Sequence, residues 1–307
     1  MITAPINYLT TKENLKELID VGIGKFYMGY MPKPWYQKYG WEISTNKRYF
    51  PVIPHIIDPK KAKELISFIH DNKREVFLAL NELYYAKKQY SLLFKIIDLF
   101  ESLDIDAYIV SDLALILEMR KKGVNKRINL SSCAGMHNIS ALRFYQQLGI
   151  KYFVLSQELS VKEIIYFLEN TSEDICFEIL LIGEFCKFNN AFCFTSHGFN
   201  RENFCSTNFN KYLISREDNF IKESNPNFYH INSWCGLCII PYLVRFKKRI
   251  TFKLPFRSAS SSTRGIEVMD LAKKLSTLLK KKKINLKQCR AILGDSCEKT
   301  ACAYQLL

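Results

Sequence analysis

Eight short apolar segments, each followed by a stretch with helical spacing, run through this chain. They are ITAPI (2–6), KFYMGY (25–30), EVFLALN (75–81), AYIVSD (107–112), RINLSS (127–132), YFVLS (152–156), CFEILLIG (176–183) and TFKLPFR (251–257). Strands this apolar are buried on both faces, which implies a parallel sheet covered by helices. Eight strand–helix units fit a closed (β/α)8 barrel of the TIM type, so the expected fold class is α/β with a TIM-like barrel. An open doubly wound sheet is the alternative, but no glycine-rich dinucleotide fingerprint follows the first strand.

The helix signals agree with this alternation. Thr11 is placed to cap a helix whose apolar positions Leu15, Leu18 and Ile19 share one face. Asp58 and Pro59 open the helix over KKAKELISFIHDN, and Ser160 with Glu163 forms a capping box before IIYFLEN. MPKPWYQKYGWEIS reads as a long loop, residues 239–247 as helical, and Arg264 to about Lys281 as the closing helix. The expected organisation is a barrel over 1–260 that includes a cysteine loop at 184–238. A closing helix and cysteine-bearing tail follow over 261–307.

No apolar run reaches membrane-spanning length, so no membrane span is expected. The N-terminus MITAPINYLTTKENL lacks the basic region and long apolar core of an export signal. A reducing, cytoplasmic location is expected, where ten cysteines point to metal or redox chemistry before disulfides. The formal charge of +14 permits an anionic partner, RNA or a small polyacid, without requiring one. The run Lys280 to Lys283 ends a helix and reads as a solvated terminus or a contact site.

In a barrel of this type, residues just past the strand ends gather at one mouth. Here they are Asn81, Glu82, Asp112, Cys133, Gln157, Glu158, Cys186 with the loop behind it, and Arg257. Cys186, Cys193, Cys205 and one of Cys235 or Cys238 could supply four thiolates to that mouth. Soft thiolates select iron–sulfur clusters or zinc. Structural zinc sites favour two tight C-x2-C knuckles, and only Cys235/Cys238 has that spacing. Spread thiolates from one long loop suit a cubane cluster better, while zinc and unliganded cysteines stay open.

WCGLC resembles a thioredoxin active-site motif, but no redox domain surrounds it. Lys253 and Arg257, at i and i+4 of the last strand, share one side of it. They invite an anionic substrate or an internal ion pair with Glu178. His197 could donate to a substrate or a cluster sulfur, or simply be solvated. Cys133 reads as a small buried hydrophobe. Cys289, Cys297 and Cys302 have no strong spacing.

With these residues on the page, the chain resembles peptidase family U32, the collagenase-like peptidases. APINYLTTKENLKELIDVGIGKFYMG is similar to the family's opening strand, helix and Y-x-G. IDAYIVSDLALI, INLSSCAGMHN and LGIKYFVLSQELSVKEI resemble its next segments. FEILLIGEFC with Cys193 resembles its E-x-x-x-x-G-x-x-C-x6-C core, and LCIIPYLVRFKKRITFKLPFR its closing C-x-I and K-x-x-x-R. The chain departs from the pattern at Pro255 and Phe256, at Cys133 where Thr is common, at Gln157 where Arg is usual, and at the extra Cys235 and tail cysteines.

The resemblance implies more than the family's title. Members with defined roles are oxygen-independent hydroxylation factors, among them a pair of paralogous quinone-pathway proteins and factors that hydroxylate bases of tRNA or rRNA. They imply a four-iron (4Fe-4S) cluster, here on Cys186, Cys193, Cys205 and Cys238. They also imply prephenate as oxygen source, with Lys253 and Arg257 at the anion. The chain's length is similar to that of the single-domain quinone-pathway members. An RNA-base hydroxylation factor, a peptidase and a non-catalytic cluster-binding scaffold are the alternatives, and a paralogous partner subunit is an open expectation.

Overall fold

The computed structural model describes residues 1–40, 42–47, 55–186, 190–193, 230–254, 262–263, 266–294 and 301–302. Its strands, in chain order, begin with β1 (Ile2–Pro5), β2 (Lys25–Tyr30), β3 (His55–Ile56), β4 (Glu75–Leu80) and β5 (Ala107–Val110). They continue with β6 (Arg127–Leu130), β7 (Tyr152–Val154), β8 (Cys176–Leu180), β9 (Ile182–Cys186), β10 (His230–Cys235) and β11 (Ile250–Lys253). Strands β1, β2, β4, β5, β6, β7, β8 and β11 pair in parallel, and β11 pairs with both β8 and β1. The sheet therefore closes into the eight-stranded TIM-like barrel. Gly29 of β2 faces Ala79 of β4 on one side, so β3, which pairs with Gly29 and Tyr30, extends the other side.

Closure explains why the strands read apolar throughout. Phe26, Met28, Val76, Leu78, Tyr108, Val110, Ile128 and Phe153 point outward into one large core under the helices. Their period-2 neighbours Tyr27, Phe77, Ala79, Ala107, Ile109 and Val154 form a separate, smaller cluster inside the barrel. On the arc made by β8, β11 and β1 the inward positions turn polar: Glu178, Lys253 and Thr3, all buried. At the opposite end from the mouth, Arg127 bonds Glu75 at 2.5 Å and stacks on Tyr152, closing the floor.

The helices follow their signals. In α1 (Lys12–Asp20), Thr11 accepts from the Asn14 N–H at 3.3 Å. The helix α2 (Lys33–Tyr39) occupies part of what reads as a loop. A proline in its first turn starts it, and buried Trp35 anchors it, donating to the Ile43 carbonyl at 3.0 Å. Asp58 caps α3 (Pro59–Asp71), and the Ser160–Glu163 box opens the helix Val161–Glu169. The closing helix Val268–Leu279 starts later than expected, after a short antiparallel pair, Ser262–Thr263 with Ile266–Glu267. It packs on α1.

The last two expected strands end well before the sequence suggests. The apolar run of the seventh strand breaks at Leu181. The Leu181 N–H donates to the Lys253 carbonyl, keeping β8 in the barrel, while its carbonyl accepts from Gly236 N–H at 2.6 Å. Beyond it β9 leaves the barrel and pairs antiparallel with β10. Leu181 and Ile182 are buried on both sides of the break, so hydrophobicity alone does not mark it. The last strand ends at Lys253, not at 257, although the Leu254 N–H still donates to Thr3. Arg257 lies outside the described residues.

Candidate functional site

The mouth is built largely from polar side chains on loops that are themselves buried. The stretch after α2 brings Ser44, Thr45, Asn46 and Lys47 down over the strand ends, each buried. Thr45 Oγ1 donates to the Tyr30 carbonyl at 2.6 Å, and the Thr45 carbonyl accepts from Tyr85 Oη at 2.7 Å. Asn46 Nδ2 lies 3.0 Å from His55 Nδ1. Backbone groups turned inward in this way need such partners, because water is excluded.

From there a chain of hydrogen bonds crosses the mouth. Lys47 N–H reaches Asn81 Oδ1 at 3.5 Å, Asn81 Nδ2 donates to Ser131 Oγ at 3.3 Å, and Ser131 Oγ accepts from Cys133 N–H at 3.2 Å. Ser111 Oγ donates to the Asn81 carbonyl at 3.1 Å. Lys47 Nζ donates to the carbonyl of Cys193 and stands 3.6 Å from Glu82 Oε1. Burial pushes the Glu82 carboxyl above its usual range, with Lys47 pulling the other way. Burial likewise raises the Cys133 thiol, flanked by the charges of Lys47 and Glu82. A raised thiol is a poor nucleophile.

The expected site residues separate into distinct groups. Cys193 is buried at the mouth; Cys235 and Cys238 are buried at the turn where β10 ends. The backbone of Cys186 lies in β9 and not in a loop, opposite His230, whereas Cys235 lies opposite Ile182. Four residues of strand, about 13 Å, thus separate Cys186 from the position facing Cys235 along β9. Cys235 Sγ accepts from Leu237 N–H at 3.5 Å. Cys205, His197 and Arg257 lie outside the described residues. Asp112 is occupied structurally: it accepts from Ala114 N–H at 2.9 Å and Tyr85 N–H at 3.0 Å. Glu158 bonds Ser156.

Lys253 lies on the barrel axis. Its Nζ is 2.5 Å from Glu178 Oε1 and 4.1 Å from the Tyr27 ring centre, while Thr3 Oγ1 donates to Glu178 Oε2 at 2.8 Å. An internal ion pair thus accounts for this buried cation.

Sequence reasoning missed two features here. Lys47 sits in a stretch with no motif, and only the fold brings it to the Cys193 carbonyl. One tail cysteine also returns to the core: the helix Leu286–Ala291 packs on the 237–239 turn with Cys289 fully buried, while Cys297 lies outside the described residues. Burial and neighbouring Cys238 push the Cys289 thiol up to about 12. The strand Ala301–Cys302 pairs in parallel with β10, with Cys302 opposite Cys235. The described cysteines 133, 176, 193, 235, 238 and 289 are not joined in disulfides. Among the described residues no three His, Cys, Asp or Glu side chains are grouped to hold a metal ion. Thiols are the donor type that a soft metal or cluster selects, but the described ones do not gather three together.

The described fold is a parallel, eight-stranded α/β barrel of the TIM-like type. The chain belongs to peptidase family U32, whose model matches residues 9–251. An uncharacterized protease of Methanocaldococcus jannaschii is 30% identical over 136 residues, covering 43% of this chain and 32% of that protein. The tRNA hydroxylation protein P of Escherichia coli is 34% identical over 96 residues, covering 31% of this chain and 21% of that protein. The chain thus spans about a third and a fifth of the length of these curated relatives. The structure of the U32 peptidase Mk0906 shares the fold, with a TM-score of 0.52 at 12% identity, over 83% of this chain and 93% of that one. Among the described residues no helix is long and apolar enough to cross a membrane.

Proposed function

We propose that this chain is an iron–sulfur protein that acts in oxygen-independent hydroxylation. Its ligands would be Cys186, Cys193, Cys205 and Cys238, and its oxygen would come from a small anionic donor such as prephenate. The observation that carries the reading is the buried thiol-bearing residue Cys193, held at the catalytic end of a barrel of this family. When bound, a four-iron cluster would supply a Lewis-acidic or redox-active iron for the oxygen donor. On the described residues, the chain's own contribution is to bury Cys193 and Cys238, to cover the strand ends with the 43–47 stretch, and to set Lys47, with Glu82 beside it, against the Cys193 carbonyl. Arg257 and His197 are proposed for the donor's carboxylates, while Lys253 is neutralised by Glu178.

The acceptor is proposed to be a small molecule such as a quinone precursor. A second reading, an RNA base, is favoured by the +14 charge and by the name of the E. coli relative. A peptidase mechanism gains no support from Cys133, whose thiol is raised rather than activated.

The test is anaerobic purification with iron and sulfide analysis. Brown protein with about equal iron and acid-labile sulfide is expected; colourless protein carrying stoichiometric zinc would refute the cluster. Cys238→Ala should lose the iron and Cys235→Ala should keep most of it, and the reverse pattern would displace Cys238 from the ligand set.

A further inference from the structure

The barrel interior carries a second polar layer, at the end opposite the mouth. Phe26, Ile128, Phe153, Phe177, Ile250 and Phe252 belong to the core under the helices. Alternation along each strand therefore turns Lys25, Asn129, Tyr152, Cys176 and Thr251 inward. Register sets them close together: Lys25 lies opposite Glu75, Asn129 and Cys176 both lie opposite Tyr152, and Thr251 lies opposite Glu178. With Phe77, Val154 and Glu178 they line a cavity of about 20 Å³.

Two groups in this lining have bonding capacity that the fold does not use. Asn129 is only 5% exposed, and its Oδ1 is buried and accepts no hydrogen bond among the described residues. Buried side-chain oxygens nearly always have a partner. The Lys25 side chain is 12% exposed, and its Nζ stands 3.9 Å from Glu75 Oε2, beyond hydrogen-bond range. Arg127 Nη2 holds that same oxygen at 2.5 Å. The rings of Phe77 and Tyr152, centred 5.8 and 5.9 Å from the ammonium, attract its charge but take no ordinary hydrogen bond. Thr251 adds a hydroxyl that can both donate and accept.

One cavity thus holds a donor in want of an acceptor and an acceptor in want of a donor. A monatomic anion would answer Lys25 and leave Asn129 Oδ1 facing negative charge. An apolar group would answer neither. Water answers both. A buried water needs roughly 10–15 Å³ of such space and two to four polar partners. We propose that the barrel floor is a binding site for one ordered water, which accepts from Lys25 Nζ and donates to Asn129 Oδ1. Its second hydrogen has acceptors in Thr251 Oγ1 and the Glu178 carboxylate, which line the same cavity. Through Glu178 the site connects the floor charges to the axial ion pair with Lys253. The inference is independent of any cofactor at the mouth.

The test is a crystal structure of the full chain at a resolution that shows ordered water, with bromide replacing chloride in the crystals. One peak is expected within about 2.7–3.2 Å of both Asn129 Oδ1 and Lys25 Nζ, without anomalous signal. A peak carrying the anomalous signal of bromide makes the ligand a halide and overturns the water. A featureless cavity overturns the site. Asn129→Leu keeps a side chain of similar size and removes its oxygen, so the peak should be lost, whereas Asn129→Asp keeps an acceptor and should keep the peak. A peak that survives in Asn129→Leu overturns the assigned partner. Should Asn129→Leu fail to fold, Lys25→Met takes its place with the same loss expected, and the wild-type map still decides whether the site exists.

Discussion

Two of the barrel's lysine–glutamate pairs are built differently. On the axis, Lys253 and Glu178 meet at 2.5 Å, with Thr3 on the second carboxylate oxygen and Tyr27 under the ammonium. At the mouth, Lys47 and Glu82 stand 3.6 Å apart, and the ammonium spends a donor on a cysteine carbonyl of the loop. The axial partners come from adjacent strands of one rigid sheet. The mouth partners come from two loops, and the third member comes from an insertion. A pair closed on itself holds the barrel together; a looser pair leaves its cation able to serve another group.

The largest expected effect comes from opening the axial pair. Glu178→Ala leaves a buried ammonium without its carboxylate and should cost about 3–5 kcal/mol in urea unfolding. Lys253→Met combined with Glu178→Leu should recover most of that loss, since an apolar pair of similar volume removes both desolvation costs. If the single variant loses under about 1 kcal/mol, the axial pair is no more than a surface-type pair.

Lys47→Met should cost less, about 1.5 kcal/mol, because the pair it breaks is longer than the axial one and burial already raises the Glu82 carboxyl, which eases its protonation once Lys47 is gone. A double-mutant cycle on Lys47 and Glu82 should give a coupling well below that for Lys253 and Glu178. Equal couplings would erase the distinction between the pairs. Tyr27→Phe keeps the ring under Lys253 but removes the hydroxyl that donates to the Leu254 carbonyl at 3.1 Å. About 1 kcal/mol is expected, with the ion pair intact.

The smallest effect is a pH dependence. Burial raises the Glu82 carboxyl above the usual 4.5 in the folded protein. The folded state then keeps its proton to higher pH than the unfolded chain. The group's contribution is fullest below the unfolded pKa and is lost as pH rises through the folded one. Glu82→Gln removes this term, so its stability relative to wild type should improve as pH rises above about 4.5. A difference that is flat with pH, or of the opposite slope, would show that Lys47 holds Glu82 ionised. The mouth pair would then be as closed as the axial one.

Much of the barrel was legible because closure writes itself into every strand. Phe26 and Met28 face the helices while Tyr27 faces the axis, so KFYMGY has to be apolar on both sides. The caps at Thr11, Asp58 and Ser160 were legible for a local reason: each bonds a backbone group two or three residues away. The break at Leu181 was not legible. It is made by Gly236, which lies 55 positions further along the chain, and both sides of it are equally buried. α2 was hidden by its prolines, which serve both loops and helix starts.

By itself the sequence determined that this would be a parallel α/β barrel of the U32 family, with cysteines placed after its seventh strand. Periodicity, caps and motif order are local properties, and local contacts express them. Tertiary structure alone decided which charges meet. It closed Lys253 onto Glu178, brought Lys47 against Cys193, and folded Cys289 back onto the turn that carries Cys238. Those partners are tens to more than a hundred residues apart, and only closure of the barrel and return of the tail make them neighbours.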